Sequence, residues 1–314
     1  MKKIAFIFPG QGAQSVGMGK DIYENFESAK NVYDTADRVL GKSISNICFE
    51  GPEEDLKLTI NTQPAIVTTS IALLESLKSQ LGITPDYTAG HSLGEYCAMY
   101  TAGVLSLENT LKLIQKRAEL MGETKGGAMA AVLNATEEQL KNGLEEGSKV
   151  GYVDVANYNS PAQIVITGDE AAVKTAGDYM LANGVRRVVP LAVSGAFHSK
   201  FMENAGKSFD EYLTNFELNN AKLPVITNVD ANETISADEF KTKMPKQIYS
   251  SVYWTQTIQK MMTNGVDTFI EIGPGKVLAG LNKKISMDIT TYNIFDKDSL
   301  ETTITSLKEQ LTNV

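Results

Sequence analysis

Tyr87-Thr-Ala-Gly-His-Ser-Leu-Gly-Glu95 decides how this chain is read: a short apolar approach runs into Gly90-His91-Ser92-Leu93-Gly94 and straight on into the helix-like Glu95-Tyr-Cys-Ala-Met-Tyr-Thr101. In the pattern G-x-S-x-G a serine sits on a sharp strand-to-helix turn and presents its hydroxyl above a sheet. So tight a turn strains the backbone at the serine, and a Cβ at Gly90 or Gly94 would collide where strand and helix pass. The pentapeptide also arises by chance. Its weight comes from the strand before it and the helix after it.

Working outward, Ile4 to Phe8 is a continuous apolar run closed by Pro9-Gly10, as in a buried parallel strand. The glycine-rich loop Gly10-Gln-Gly-Ala-Gln-Ser-Val-Gly-Met-Gly19 follows. A dinucleotide fingerprint would require a second strand ending in an acid about 20 residues on, yet residues 21–40 read as one helix. A phosphate loop would end in Gly-Lys-Ser/Thr, and Gly19-Lys20-Asp21 lacks the hydroxyl. The better use of such a loop is to aim backbone N–H groups at a developing oxyanion.

Residues 61–81 read as a helix with Pro64 in its first turn. Between 106 and 121 the residues Leu107, Leu111, Ile114, Ala118 and Met121 recur at helical spacing, with Arg117 on the flank of that buried face. Arg117 is either turned inward or an ordinary solvated arginine near a helix end. After Gly126-Gly127 the rhythm changes to strand 128–133, helix 136–147, strands 152–156 and 164–167, helix 170–184 and strand 187–193. That order, βαββαβ, is the ferredoxin-like motif.

The expected division is therefore 1–127 with 197–314 as one subdomain and 128–196 as an insert, hinged at Gly126-Gly127 and Ser194-Gly195. Further on, residues 202–218 read as helix, 224–228 as strand, 236–248 and 255–264 as helices, 267–273 as a buried strand, and 289–294 and 300–311 as a final strand and helix. Alternation on both sides of the insert predicts an α/β fold, a parallel sheet with helices on both faces.

The 314 residues are 42% hydrophobic, enough for one large core and a smaller one, and the net charge of −9 argues against nucleic acid or an anionic membrane as the general partner. The apolar run at the start is cut off at Pro9 far short of a signal-peptide core, and no stretch is long enough to span a bilayer. Cys48 and Cys97 have no paired spacing, which excludes a disulfide scaffold or a zinc finger. A cytoplasmic protein with no metal is the expectation.

A serine hydroxyl is a poor nucleophile until a base takes its proton. Of the two histidines, His91 lies within the serine turn, which leaves His198 in Ser194-Gly-Ala-Phe-His-Ser-Lys200, where the chain leaves the insert. An acid such as Asp154 would orient its imidazole in the usual triad; a backbone carbonyl would serve instead.

Phe8-Pro-Gly-Gln-Gly-Ala-Gln14, Gly90-His-Ser-Leu-Gly-Glu-Tyr96, Arg117, Asn157-Tyr-Asn-Ser-Pro161 with Gln163, Ala196-Phe-His-Ser199, Gln247 ahead of Trp254, and Ile272-Gly-Pro-Gly275 together resemble the malonyl-CoA:acyl carrier protein transacylases over essentially the whole chain. The resemblance implies an α/β-hydrolase-like parallel-sheet subdomain with an inserted ferredoxin-like subdomain. It also implies ping-pong transfer of malonyl from malonyl-CoA to the phosphopantetheine thiol of acyl carrier protein, supplying fatty acid elongation without a cofactor. Carried over, Ser92 is the nucleophile, His198 the base, Gln11 and Leu93 the oxyanion donors, and Arg117 the malonyl carboxylate clamp. Gln247 accepts from His198 through its carbonyl. Asn159 joins the substrate-binding set. Phe197 and Met121 crowd the α-carbon, and Ala196-Phe197-His198-Ser199 goes with malonyl over methylmalonyl. The partner would be an acidic carrier protein docking between the subdomains of a monomer, met by Arg186, Arg187, Lys200, Lys276, Lys283 and Lys284.

Overall fold

In β1 (Lys3–Phe8) successive side chains alternate between two fully buried environments, Ala5 and Ile7 toward one layer of helices, Phe6 and Phe8 toward the other. That double burial is why the run is continuously apolar. The structure is a computed structural model that describes residues 3–193 and 195–312. β1 lies at the centre of a six-stranded sheet, with β2 (Tyr87–Gly90), β7 (Val225–Ile226) and β8 (Glu233–Thr234) on one side and β9 (Val266–Ile272) and β10 (Thr290–Ile294) on the other, in the order β10-β9-β1-β2-β7-β8. All neighbours are parallel except β7 and β8. Helices 27–40, 59–81, 95–101 and 107–123 cover the Phe6 face, and helices 254–263 and 277–285 cover the Ile7 face.

The remaining strands, β3 (Ala128–Leu133), β4 (Val153–Ser160), β5 (Gln163–Gly168) and β6 (Arg187–Pro190), form an antiparallel sheet in the order β4-β5-β3-β6. With helices 137–148 and 170–182 inserted as βαββαβ, this is the ferredoxin-like topology. One face of the sheet, with Ala130, Val132 and Ile166, packs under those helices as a separate core; the other, with Met129, Ala131 and Val165, packs onto the large core. The two sheets therefore meet through side chains, and the space between them is where the chemistry-bearing residues collect.

Several boundaries differ from the sequence pattern. Residues 21–40 are two helices, 20–25 and 27–40, because Phe26 is extended at φ −130. The helix with Pro64 begins at Thr59, so the proline lies inside it; the Ile60 carbonyl that a residue 64 N–H would have met takes the Lys42 ammonium at 3.2 Å instead. The helix expected over 202–218 ends at Leu213, and the strand expected to reach 193 ends at Pro190. At the junction with the insert Gly126 pairs with Gly195, and a Cβ on Gly127 would come within 2.6 Å of Ala196 Cβ. Ser194, the other expected hinge residue, lies outside the described residues. Among the described residues no helix is long and apolar enough to cross a membrane.

Candidate active site

Strand β2 ends at Gly90, and the chain turns through His91 into a short 3-10 turn at Ser92–Gly94 and the helix from Glu95. Ser92 takes φ 51, in the left-handed region, a conformation worth about 1–3 kcal/mol of strain in a residue with a side chain. A Cβ on Gly90 would overlap the Gly94 carbonyl, and one on Gly94 would overlap the Phe8 carbonyl oxygen. Only glycine lets β1, β2 and the helix converge this closely.

Ser92 Oγ stands 2.8 Å from His198 Nε2. His198 Nδ1 faces the Gln247 carbonyl at 3.0 Å and the Ser250 carbonyl at 3.1 Å, two acceptors that place the ring proton on Nδ1 and leave Nε2 to accept from the serine. Asp154 is not in this arrangement; the nearest hydrogen bond of its carboxylate is to the N–H of Val155. His198 also has a left-handed backbone, φ 54. Burial, the Arg117 charge and His91 push its pKa down to about 3, so the imidazole is neutral at ordinary pH.

Arg117 is fully buried. Its Nη1 donates to Gln63 Oε1 at 2.6 Å, and its Nη2 donates to Gln247 Oε1 at 2.9 Å and to Ser92 Oγ at 3.0 Å. Its Nε has no hydrogen-bond partner, and among the described residues no carboxylate pairs with it. Burying a cation without a counter-charge is costly. Desolvation accordingly lowers its pKa. The guanidinium therefore sits beside the serine with no carboxylate in contact, held by two neutral amides, while buried Glu95 acts on it only from beyond ion-pair distance.

A cavity of about 110 Å³ opens over Ser92, lined by Gln11, Gln63, His91, Leu93, Arg117, Met121, Met129, Asn157, Phe197 and His198 among others. Of the residues singled out in the sequence, Gln11, Leu93, Arg117, Met121 and Phe197 line it, while the Gln247 side chain sits behind it, its Nε2 donating to the Ser92 carbonyl at 2.8 Å. Asn159 does not line it: its Oδ1 meets His91 Nε2 at 2.7 Å, and Asn157, two residues earlier on β4 and before a break in its register, takes the place at the cavity wall. The six basic residues named from the sequence are all exposed.

Gln63, Met129 and Asn228 were not singled out by pattern. Gln63 lies in a helix whose buried residues mix polar and apolar, Thr62, Thr68, Thr69 and Ser70 among them, so pattern gave it no signal of its own. Met129 looks like any strand residue until the two sheets are brought together.

A parallel α/β sheet offering a serine at a strand-to-helix turn, with a neutral histidine on its hydroxyl and a guanidinium beside it, is the apparatus of serine-dependent acyl-group enzymes. The chain belongs to the acyl transferase family: the model described as "Acyl transferase domain" matches residues 5–297. It is 45% identical to the malonyl CoA-acyl carrier protein transacylase of Bacillus subtilis, over 100% of both chains, and 42% identical to that of a Synechocystis species, over 95% of this chain and 99% of the other. Among solved structures, the Clostridium perfringens malonyl CoA-acyl carrier protein transacylase superposes with a TM-score of 0.95 at 39% identity, covering 99% of this chain and 98% of that one. A malonyl-transacylase in complex with its type II PKS acyl-carrier protein superposes at 0.94 with 35% identity, covering 97% and 100%.

Proposed function

We propose that this protein transfers a malonyl group from malonyl-CoA to the phosphopantetheine thiol of acyl carrier protein through a malonyl ester on Ser92, supplying fatty acid elongation. The observation that carries the substrate assignment is Arg117, a buried guanidinium without a carboxylate partner, 3.0 Å from Ser92 Oγ. A thioester bearing a free carboxylate brings the missing counter-charge, which a guanidinium fork receives through two parallel hydrogen bonds.

Ser92 Oγ gives its proton to His198 Nε2 and attacks the thioester carbonyl. The oxyanion is met by the backbone N–H groups of Gln11 and Leu93. The C–S bond breaks, CoA leaves with the proton from His198, and the malonyl ester remains. The carrier thiol, deprotonated by the same imidazole, attacks the ester and regenerates Ser92. Exchange of thioester for ester and back requires no cofactor; what it does require is a site that excludes water. The insert, which we delimit as 128–196, supplies that exclusion by placing Met129, Asn157 and Leu191 across the cavity from Ser92. Met121 and Phe197 leave little room for a branch at the α-carbon. The acting species is a cytoplasmic monomer, and the acidic carrier docks at the mouth of the cleft against exposed residues such as Lys200 and Arg187.

Incubation with malonyl-CoA, followed by mass analysis of the intact chain and its peptides, tests the reading. A malonyl adduct on Ser92 that persists without carrier and is discharged by holo acyl carrier protein is the expected result. Steady release of free malonate, or no adduct on Ser92, would overturn it.

A further inference from the structure

We propose that Asn228 is a positioning residue for the serine, acting as a substitute peptide group that holds Ser92 in its left-handed conformation; the inference rests on Ser92 being the acylated residue. β7 runs parallel to β2 with Thr88 opposite Val225 and Ala89 opposite Ile226. Continued by two residues, that register sets His91 opposite Asn228, the point where β2 turns away and a backbone ladder can no longer form.

The Asn228 side chain fills the gap. Its Oδ1 accepts from Ser92 N at 2.8 Å and its Nδ2 donates to the Gly90 carbonyl at 2.7 Å, the donor and acceptor pattern of a peptide unit on a neighbouring strand. Its own backbone is committed elsewhere: the Asn228 N–H donates to Glu95 Oε2 at 2.6 Å, and its carbonyl accepts from Tyr253 N at 3.0 Å. Asn228 is fully buried and Glu95 is 1% exposed. The amide therefore cannot be exchanged for water. Glu95, the first residue of the helix that follows the turn, anchors the residue that braces the turn, so both sides of Ser92 are tied to one side chain.

Ser92 N is occupied by this bond, so the nucleophile's own amide is withheld from the oxyanion and the donors must come from other backbone groups. A misplacement of about 1 Å at a reacting group can cost on the order of 100-fold in rate. Gln247 Nε2 also reaches Asn228 Oδ1 at 3.4 Å, but its shorter bond, 2.8 Å, is to the Ser92 carbonyl. Arg117 and Gln63 touch neither amide atom of Asn228, so loss of the brace should appear chiefly in the acylation step.

The test measures single-turnover acylation by malonyl-CoA in Asn228→Ala and Asn228→Asp, with circular dichroism as the folding control. Aspartate keeps the volume and the acceptor for Ser92 N but sets an oxygen against the Gly90 carbonyl. Both variants should acylate on the order of 100-fold more slowly, with KM for malonyl-CoA within about 3-fold, and should lose reactivity toward a fluorophosphonate, which needs the serine but not the guanidinium. A folded variant that acylates within about 5-fold of the parent, or whose loss is confined to KM, overturns the proposal. Should neither variant fold, hydrogen exchange at the Ser92 amide of the unsubstituted protein decides: protection supports the brace, and exchange at the rate of an open loop overturns it. Absence of any Ser92 adduct in the unsubstituted protein would instead sink the functional reading itself.

Discussion

Arg117 Nη2 and His198 Nε2 share one hydroxyl, the first 3.0 Å and the second 2.8 Å from Ser92 Oγ. The imidazole accepts the serine proton, and the guanidinium donates to an oxygen lone pair that an attacking nucleophile needs free. A substrate carboxylate that draws the guanidinium to itself releases that lone pair as it binds. A substrate without one must acylate a serine still engaged by the cation.

Arg117→Ala therefore separates two thioesters. Malonyl-CoA loses two hydrogen bonds to a charged group worth about 1.5–3 kcal/mol each, so kcat/KM for it should fall by about 100- to 10,000-fold. Acetyl-CoA, which has no carboxylate, should acylate Ser92 faster than in the parent. Arg117→Lys should restore little, since an ammonium lacks the fork. Equal losses for both thioesters in a folded variant would count against the clamp.

The pH profile follows from the His198 pKa, pushed down to about 3 from 6.5. A neutral base stays neutral as acid is added, so the acid limb of kcat/KM for acylation should lie well below 6.5. A limb centred at 6.5 would contradict the burial of this imidazole. Stability moves in the same window: between 6.5 and about 3 the unfolded chain binds the proton that the folded chain refuses, so this contribution is full above 6.5 and drains away as pH falls. His198→Gln should make that part of a stability curve measured by denaturant titration less steep, with buried His91, whose pKa is also lowered, keeping a share of the slope.

Gln247 acts through two separate parts. Its carbonyl holds His198 Nδ1 whatever its side chain is, while its side chain accepts from Arg117 and donates to the Ser92 carbonyl. Gln247→Ala should lower kcat/KM for malonyl-CoA by about 10-fold, one hydrogen bond to a charged group, and leave the acid limb where it was. A shift of the limb would show that the side chain also governs the imidazole.

Gly90→Ala should abolish acylation and destabilise the fold by about 1–3 kcal/mol, the usual cost of forcing atoms into a filled space. Gly280→Ala is the control. Nothing lies within 4 Å of a Cβ there, and the site is helical, so a melting curve should show unchanged or raised stability and transfer should be untouched.

The serine turn was legible because its glycines and its strand-to-helix context are local. The ferredoxin-like order was legible because alternation of elements survives errors of a few residues at their ends, as at Pro190. Arg117 was harder. Helical spacing puts it at the edge of an apolar stripe, and only the packing of helices 59–81 and 107–123 turns that edge inward to meet Gln63. Asn228 gave no signal, because its function depends on the register of β7 against β2, a pairing between segments far apart in the chain. Asn157 and Asn159 show the remaining limit: the stretch was found, but the register of β4 breaks between Tyr158 and Ser160, which residue pattern does not reveal, and Asn157 meets the cavity while Asn159 meets His91.

The free edge of β4 does not stay free. Val252 N donates to the Ala156 carbonyl at 2.8 Å, Tyr158 N to the Val252 carbonyl at 2.9 Å, Ser251 Oγ to the Val155 carbonyl at 2.6 Å and Thr255 Oγ1 to the Tyr158 carbonyl at 3.0 Å. A chimaera in which residues 128–196 are swapped for those of a relative would carry one side of this seam and leave the other behind. The transplantable cassette is discontinuous: it must bring 251–255 with it, or the grafted sheet will arrive with an unmated edge directly above the acyl cavity.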